Sequence, residues 1–168
     1  MPEVWLRGPI AGVDPVLMPA VHSLLQIREE LMTLIPTLAR DHVWARPGGV
    51  APIGFHLKHL AGSLDRLLTY ARNEALTDDQ LAFLNAEERP GSEEPTELLR
   101  SAIEAIDRAV AQIRSTLAAG LGESRQVGRA ALPSTVLGLL FHAAEHAQRH
   151  AGQIATTAKV VRNPARST

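Results

Sequence analysis

Residues 134–161 read STVLGLLFHAAEHAQRHAGQIATTAKVV, and this stretch decides the fold. Leu137, Leu140, Ala144, Ala147, Ala151, Ile154 and Ala158 recur at helical spacing, which puts them on one face of a helix. Pro133 marks its start and Pro164 lies past its end. The same stretch carries His142, His146 and His150 at i, i+4 and i+8. Residues four apart on a helix stand about 40° apart and ~6 Å along the axis, so two such imidazoles can converge on one metal ion. His142 and His150 are ~12 Å apart along the axis and cannot both serve it. Relative to a core stripe through Leu140, Ala147 and Ile154, His150 lies about 60° off centre, His146 about 100° and His142 about 140°. The inward pair is therefore His146 and His150.

Three more stretches carry the same periodicity. The first, about Pro15 to Ala39, has Leu17, Val21, Leu24, Leu31, Leu34, Ile35 and Leu38, with Asp14 placed to cap it. The second, about Pro52 to Glu74, has Ile53, Leu57, Leu60, Leu64, Leu67 and Ala71. The third, about Thr96 to Ala119, has Leu99, Ile103, Ile106, Val110, Ile113 and Leu117 and ends at Gly120. Four apolar stripes bury each other most simply as an all-α four-helix bundle with no significant sheet, since aromatics are only 4% and β-branched residues do not alternate. The connections are long. Residues 40–51 can reach roughly 40 Å when extended, so plain up-down neighbours are not forced. Thr77-Asp78-Asp79-Gln80 predicts a short extra helix within the polar connector from Glu74 to Pro95.

A chain of 168 residues fits one domain, here with an N-terminal arm over 1–14 and a C-terminal tail over 162–168. The formal charge is −1 and Lys58 and Lys159 are the only lysines, so no basic stripe suggests nucleic acid or an anionic membrane. Without cysteine there is no thiolate catalysis, cysteine–zinc site or disulfide. No apolar run approaches the ~20 residues of a membrane span, and residues 1–14 do not resemble a signal peptide. The expected location is the cytoplasm.

The second helix contributes His56-Leu57-Lys58-His59 opposite the 146/150 pair. Both His56 and His59 can supply a third ligand, and position relative to the apolar stripe mildly favours His56. Isolated His22 and His42 read as surface or hydrogen-bonded residues. His142-Ala-Ala-Glu145-His146 spells an inverted zinc-peptidase motif, but those enzymes need a later acidic ligand and no Asp or Glu follows Glu145. A di-iron carboxylate site needs Glu three residues before histidine, and neither histidine stretch has it. Gly48-Gly49 reads as a turn, and no nucleotide-binding loop is present.

The segments His59-Leu60-Ala61-Gly62-Ser63-Leu64-Asp65-Arg66-Leu67 and His142-Ala-Ala-Glu-His146-Ala-Gln-Arg-His150-Ala-Gly-Gln-Ile154 resemble those of the DinB/YfiT-like superfamily of metal-binding four-helix bundles. The resemblance covers nearly the whole chain. It implies a metal ion held by His59, His146 and His150, because the His-hydrophobic-Ala opening selects His59 over His56. Ala151 stands where many relatives have Arg, which leaves the ligands intact and changes what approaches them. The superfamily includes thiol-dependent isomerases and S-transferases.

Three neutral imidazoles leave a divalent ion its full charge and an open position, suited to ionising water or polarising a thiol or carbonyl. The expected function is that of a divalent-metal-dependent enzyme, and the resemblance implies thiol-dependent transferase or isomerase chemistry, with hydrolase-type chemistry beside it. Zn or Ni is the expected ion, with Fe or Mn next. The expected partners are a small-molecule substrate, a low-molecular-weight thiol and a second copy in a homodimer. Asp65, Glu145 and Gln153 are candidates to orient the imidazoles, and Arg66 and Arg149 to meet an anionic group. No catalytic residue or organic-cofactor site is assigned. The alternative is a non-catalytic, metal-stabilised bundle acting as a dimeric interaction or stress-response protein. An open ion in a pocket favours the enzyme; a sealed ion favours the alternative.

Overall fold

The four apolar stripes become four long helices: α1 Met18–Leu34, α3 Ile53–Ala71, α5 Pro95–Ser115 and α6 Val136–Arg162. Two short helices, α2 Arg40–Trp44 and α4 Asp78–Ala86, lie in the connections. The computed structural model describes residues 1–89 and 91–163; Pro164 and the rest of the tail beyond Asn163 lie outside the described residues.

Helix α1 is shorter at both ends than its apolar pattern suggests. Asp14 forms a turn ahead of the helix: its Oδ1 accepts from Val16 N at 2.9 Å and its carbonyl from Leu17 N at 2.9 Å. Pro19 then occupies the first helical turn, where a missing N–H costs nothing. At the other end Pro36 removes a donor and its ring collides with the carbonyl four residues back, so the helix gives way to a 3-10 turn, Ile35–Thr37. The capping signal at Thr77 holds: Gln80 N donates to Thr77 Oγ1 at 3.2 Å, and Thr77 N to Gln80 Oε1 at 2.9 Å.

Side-chain pairings give the helix directions. His56 meets His150 and His59 meets His146, so α3 and α6 are antiparallel. Arg28 Nε donates to Asp107 Oδ1 at 2.9 Å and Arg114 Nη2 to Ala11 O at 3.0 Å, so α1 and α5 are antiparallel. Gly62 faces Ser101 across a shared pocket and Gln112 Nε2 reaches Leu68 O, so α3 and α5 are parallel. Parallel neighbours require a connection that returns the length of the pair, which is the work of residues 72–94 and α4. Leu24, Ile27, Leu31, Ile53, Leu57, Leu60, Leu64, Ile106, Ile113 and Leu140 are fully buried where these helices meet. Each contributes ~1.5–3 kcal/mol of apolar burial, a core that needs no metal.

The chain is mostly helical, as expected, with one small two-stranded sheet at residues 124–135 that the sequence reading did not place. There β1 Ser124–Val127 pairs antiparallel with β2 Leu132–Thr135. Ala131 and Gly128, at φ 49° and 68°, make the turn between them. Pro133 therefore lies in β2 opposite Gln126, and α6 starts two residues later than expected, capped by Thr135 Oγ1 on Gly138 N at 3.0 Å. Proline is tolerated because both strands of a two-stranded sheet are edges. Arg125 Nε ties the hairpin to Ala71 O at the end of α3 at 2.8 Å. No helix among the described residues is long and apolar enough to cross a membrane.

Candidate metal centre

The antiparallel crossing of α3 and α6 brings four histidines together. His59 Nε2 lies 3.0 Å from His146 Nε2, and His56 Nδ1 lies 2.9 Å from His150 Nδ1. One ring nitrogen from each of His59, His146 and His150 falls within 4.8 Å of the others, so these three can hold a metal ion. Phe55, one position before His56, stacks on the His59 ring at 5.5 Å. His56 and His150 are buried, whereas the His59 side chain keeps 23% of its surface in contact with solvent. The cluster is thus buried at His56 and His150 and partly solvent-accessible at His59.

Electrostatics keep His56, His146 and His150 free of extra protons. Burial, then the neighbouring His59, pushes His56 down to about 4. Burial, then His59, His146, His56 and Arg149, pushes His150 down to about 3. His146 is lowered too, first by burial and then by His59, His142 and Arg149, against an opposing pull from Glu145. Neutral imidazole is the ligand form, so the donor set suits a divalent ion. His146 Nδ1 is buried without a hydrogen-bond partner.

Behind His59 stands Glu87, which is only 2% exposed. Its Oε2 accepts from His59 Nδ1 at 2.7 Å. The buried Arg66 guanidinium grips the same carboxylate, Nη1 to Oε1 at 2.5 Å and Nη2 to Oε2 at 3.3 Å. Gly62 makes room for this pair: a Cβ there would sit 2.1 Å from Glu87 Oε1 and 2.7 Å from Arg66 Nη1.

Residues 23–154 match the family model of the DinB superfamily. The chain belongs to the DinB superfamily. The match runs from α1 into α6 and includes all three converging histidines. Comparison with curated proteins finds no match.

Within this DinB-superfamily chain, the three residues expected to orient the imidazoles lie elsewhere. Asp65 Oδ2 accepts from Gln80 Nε2 at 2.6 Å, anchoring α4. Glu145 binds His142 Nδ1 at 3.1 Å and pairs with Arg149 on the surface of α6, and Gln153 is exposed. Arg66 is spent on Glu87 and Arg149 on Glu145, so the structure gives neither a free guanidinium for an anionic group. The carboxylate that does contact His59, Glu87, sits in the polar connector beside Glu88, and no local pattern distinguishes the two. His142 is half-exposed with its ring centroid 5.4 Å from that of His146. His22 Nε2 bonds Gly8 O at 3.1 Å and His42 Nδ1 accepts from Ala39 N at 3.4 Å, and neither belongs to the converging group.

Proposed function

We propose that this protein is a divalent-metal-dependent enzyme whose ion is held by His59, His146 and His150 on α3 and α6 of a four-helix bundle. The observation that carries this is the convergence of three ring nitrogens within 4.8 Å, drawn from two helices that pack antiparallel. The depressed proton affinity of His146 and His150 supports it, because protons and metal compete for one lone pair. The solvent-facing side of His59 favours the enzyme over a sealed, purely structural ion.

A divalent ion bound there supplies Lewis-acid activation of a thiol, carbonyl or water. The chain's own residues do the positioning. Glu87 fixes His59, His56 fixes His150, and Phe55 stacks on the His59 ring. The substrate class is a small molecule used with a low-molecular-weight thiol, in a transfer, isomerisation or hydrolysis reaction, by a cytoplasmic homodimer. The support for that part is the likeness to superfamily members with thiol-dependent chemistry. Metal analysis of the purified protein, then titration calorimetry with Zn²⁺ and Ni²⁺, tests the site. A thiol-dependent activity screen with the bound metal restored tests the reaction. One ion per chain and turnover that needs both metal and thiol are expected. Absence of stoichiometric uptake of either ion overturns the metal site, and thiol-independent turnover overturns the assigned class.

A further inference from the structure

We infer that Glu87, delivered by the connector between α3 and α5, is a positioning residue of the metal centre that fixes His59 as the Nδ1–H tautomer and so aims the Nε2 lone pair at the ion. This rests on the metal-binding reading above and adds to it the group that controls one ligand. A neutral imidazole has one N–H and one lone pair. A carboxylate only accepts, so the 2.7 Å contact places the proton on His59 Nδ1. The remaining nitrogen, Nε2, is the one that faces His146 at 3.0 Å.

The carboxylate is itself immobilised. Glu87 lies at the C-terminal end of α4, a helix with no buried residue of its own, yet its side chain is among the most buried polar groups of the chain. Arg66, about two turns beyond His59 on α3, holds both carboxylate oxygens. Gly62, on the turn between them, leaves the space that a Cβ would take from Glu87 and Arg66. Gly62 and Arg66 belong to the sequence motif that opens with His59, and neither is among the converging histidines. Their common contact is Glu87, which gives these two motif residues a role. A carboxylate behind a ligating histidine also makes the ring a stronger donor to metal, an effect worth about 10–100-fold in affinity.

The test uses the full chain with Zn²⁺ as probe. Glu87→Gln keeps the shape but offers one acceptor where His59 and Arg66 need two. The paired change Arg66→Met with Glu87→Leu removes both buried charges together, so no lone charge is left to unfold the chain. In the metal-free parent, long-range proton–nitrogen NMR correlations of the imidazoles should identify His59 as the Nδ1–H tautomer. Both variants should move His59 towards the Nε2–H tautomer, keep the helical circular dichroism and bind Zn²⁺ about 10–100-fold more weakly. His59→Ala should lose the ion. A parent His59 in the Nε2–H form overturns the inference, as do variants whose tautomer and Zn²⁺ affinity match the parent's. If the parent binds one ion, His59→Ala loses it and the Glu87 variants bind as the parent does, this inference alone falls. If the parent binds no ion, the metal-binding reading falls and takes the inference with it.

Discussion

His56 and His150 meet Nδ1 to Nδ1 at 2.9 Å across the α3–α6 interface. One proton fits between them, so one ring donates and the other accepts; a second proton sets donor against donor. Burial and the neighbouring His59 hold His56 at about 4 and His150 at about 3, against an ordinary value of 6.5. The unfolded chain therefore takes up protons from pH 6.5 downward while the folded chain does not. Metal-free stability should be fully present above pH 6.5 and be lost as the pH falls through 6.5 towards 3. The open side of the cluster screens part of this, leaving a loss on the order of 2 kcal/mol near pH 4, or about 4–8 °C in melting temperature. Thermal melts of the metal-free protein across that range check it. A melting temperature that is level, or that rises as the pH drops, contradicts the assignment of neutral buried rings.

Trp44 closes the start of α3. A Cβ at Gly54 would stand 2.5 Å from Trp44 Cη2, and one at Gly91 2.4 Å from the same atom. The indole is fixed in place as well as wedged, since its Nε1 donates to Glu93 O at 3.1 Å. Gly54→Ala should destabilise the protein by about 1–3 kcal/mol through overpacking. This runs against the ~1 kcal/mol that alanine ordinarily gains over glycine inside a helix. Denaturant unfolding gives the number, and a stabilised Gly54→Ala variant would falsify the wedge.

What could be read from the sequence follows from range. The long helices were legible because Leu57, Leu60 and Leu64, like Leu140, Ala147 and Ile154, repeat a local period that tertiary packing then uses. That His146 and His150 turn towards α3 was legible for the same reason, since angular position on one helix needs no partner. Angular position mildly favoured His56, because where α6 crosses α3 is not a local property; only the motif resemblance pointed to His59, whose ring nitrogen is the one that converges with those of His146 and His150. Glu87 was invisible because its partners are 21 and 28 residues away. The hairpin was missed because its strands are four residues each, and Pro133 reads as a helix boundary when it is an edge-strand residue. Helix α1 was overextended past Pro36, where the apolar pattern continues through Leu38 although the backbone cannot.

The Arg66–Glu87 pair gives a stability prediction that needs no metal. Both side chains are buried, so each charge depends on the other. Arg66→Ala should strand the Glu87 carboxylate and cost about 3–5 kcal/mol. Replacing both residues by apolar ones of similar volume should recover most of that loss. Unfolding free energies of the single and double variants test this. A double variant no more stable than Arg66→Ala would mean that packing, and not the unpaired charge, sets the cost.

The ligand series bears on the site most directly. Changing His59, His146 and His150 together to Ala should abolish stoichiometric Zn²⁺ and Ni²⁺ binding while leaving the helical core intact, because Leu57, Leu60 and Leu140 are buried independently of the rings. His142→Ala should leave stoichiometry unchanged, since that ring bonds Glu145 on the exposed side of α6. His56→Ala should also keep one ion per chain but bind it more weakly, because His150 Nδ1 loses the partner that orients its ring. Calorimetry on these variants, with circular dichroism as the check on folding, separates three arrangements. Loss of the ion in His142→Ala with retention in His150→Ala would shift the site one turn towards the start of α6. Loss in His56→Ala with retention in His59→Ala would exchange the α3 ligand. Undiminished binding by the folded triple variant would place the ion away from the α3–α6 crossing altogether.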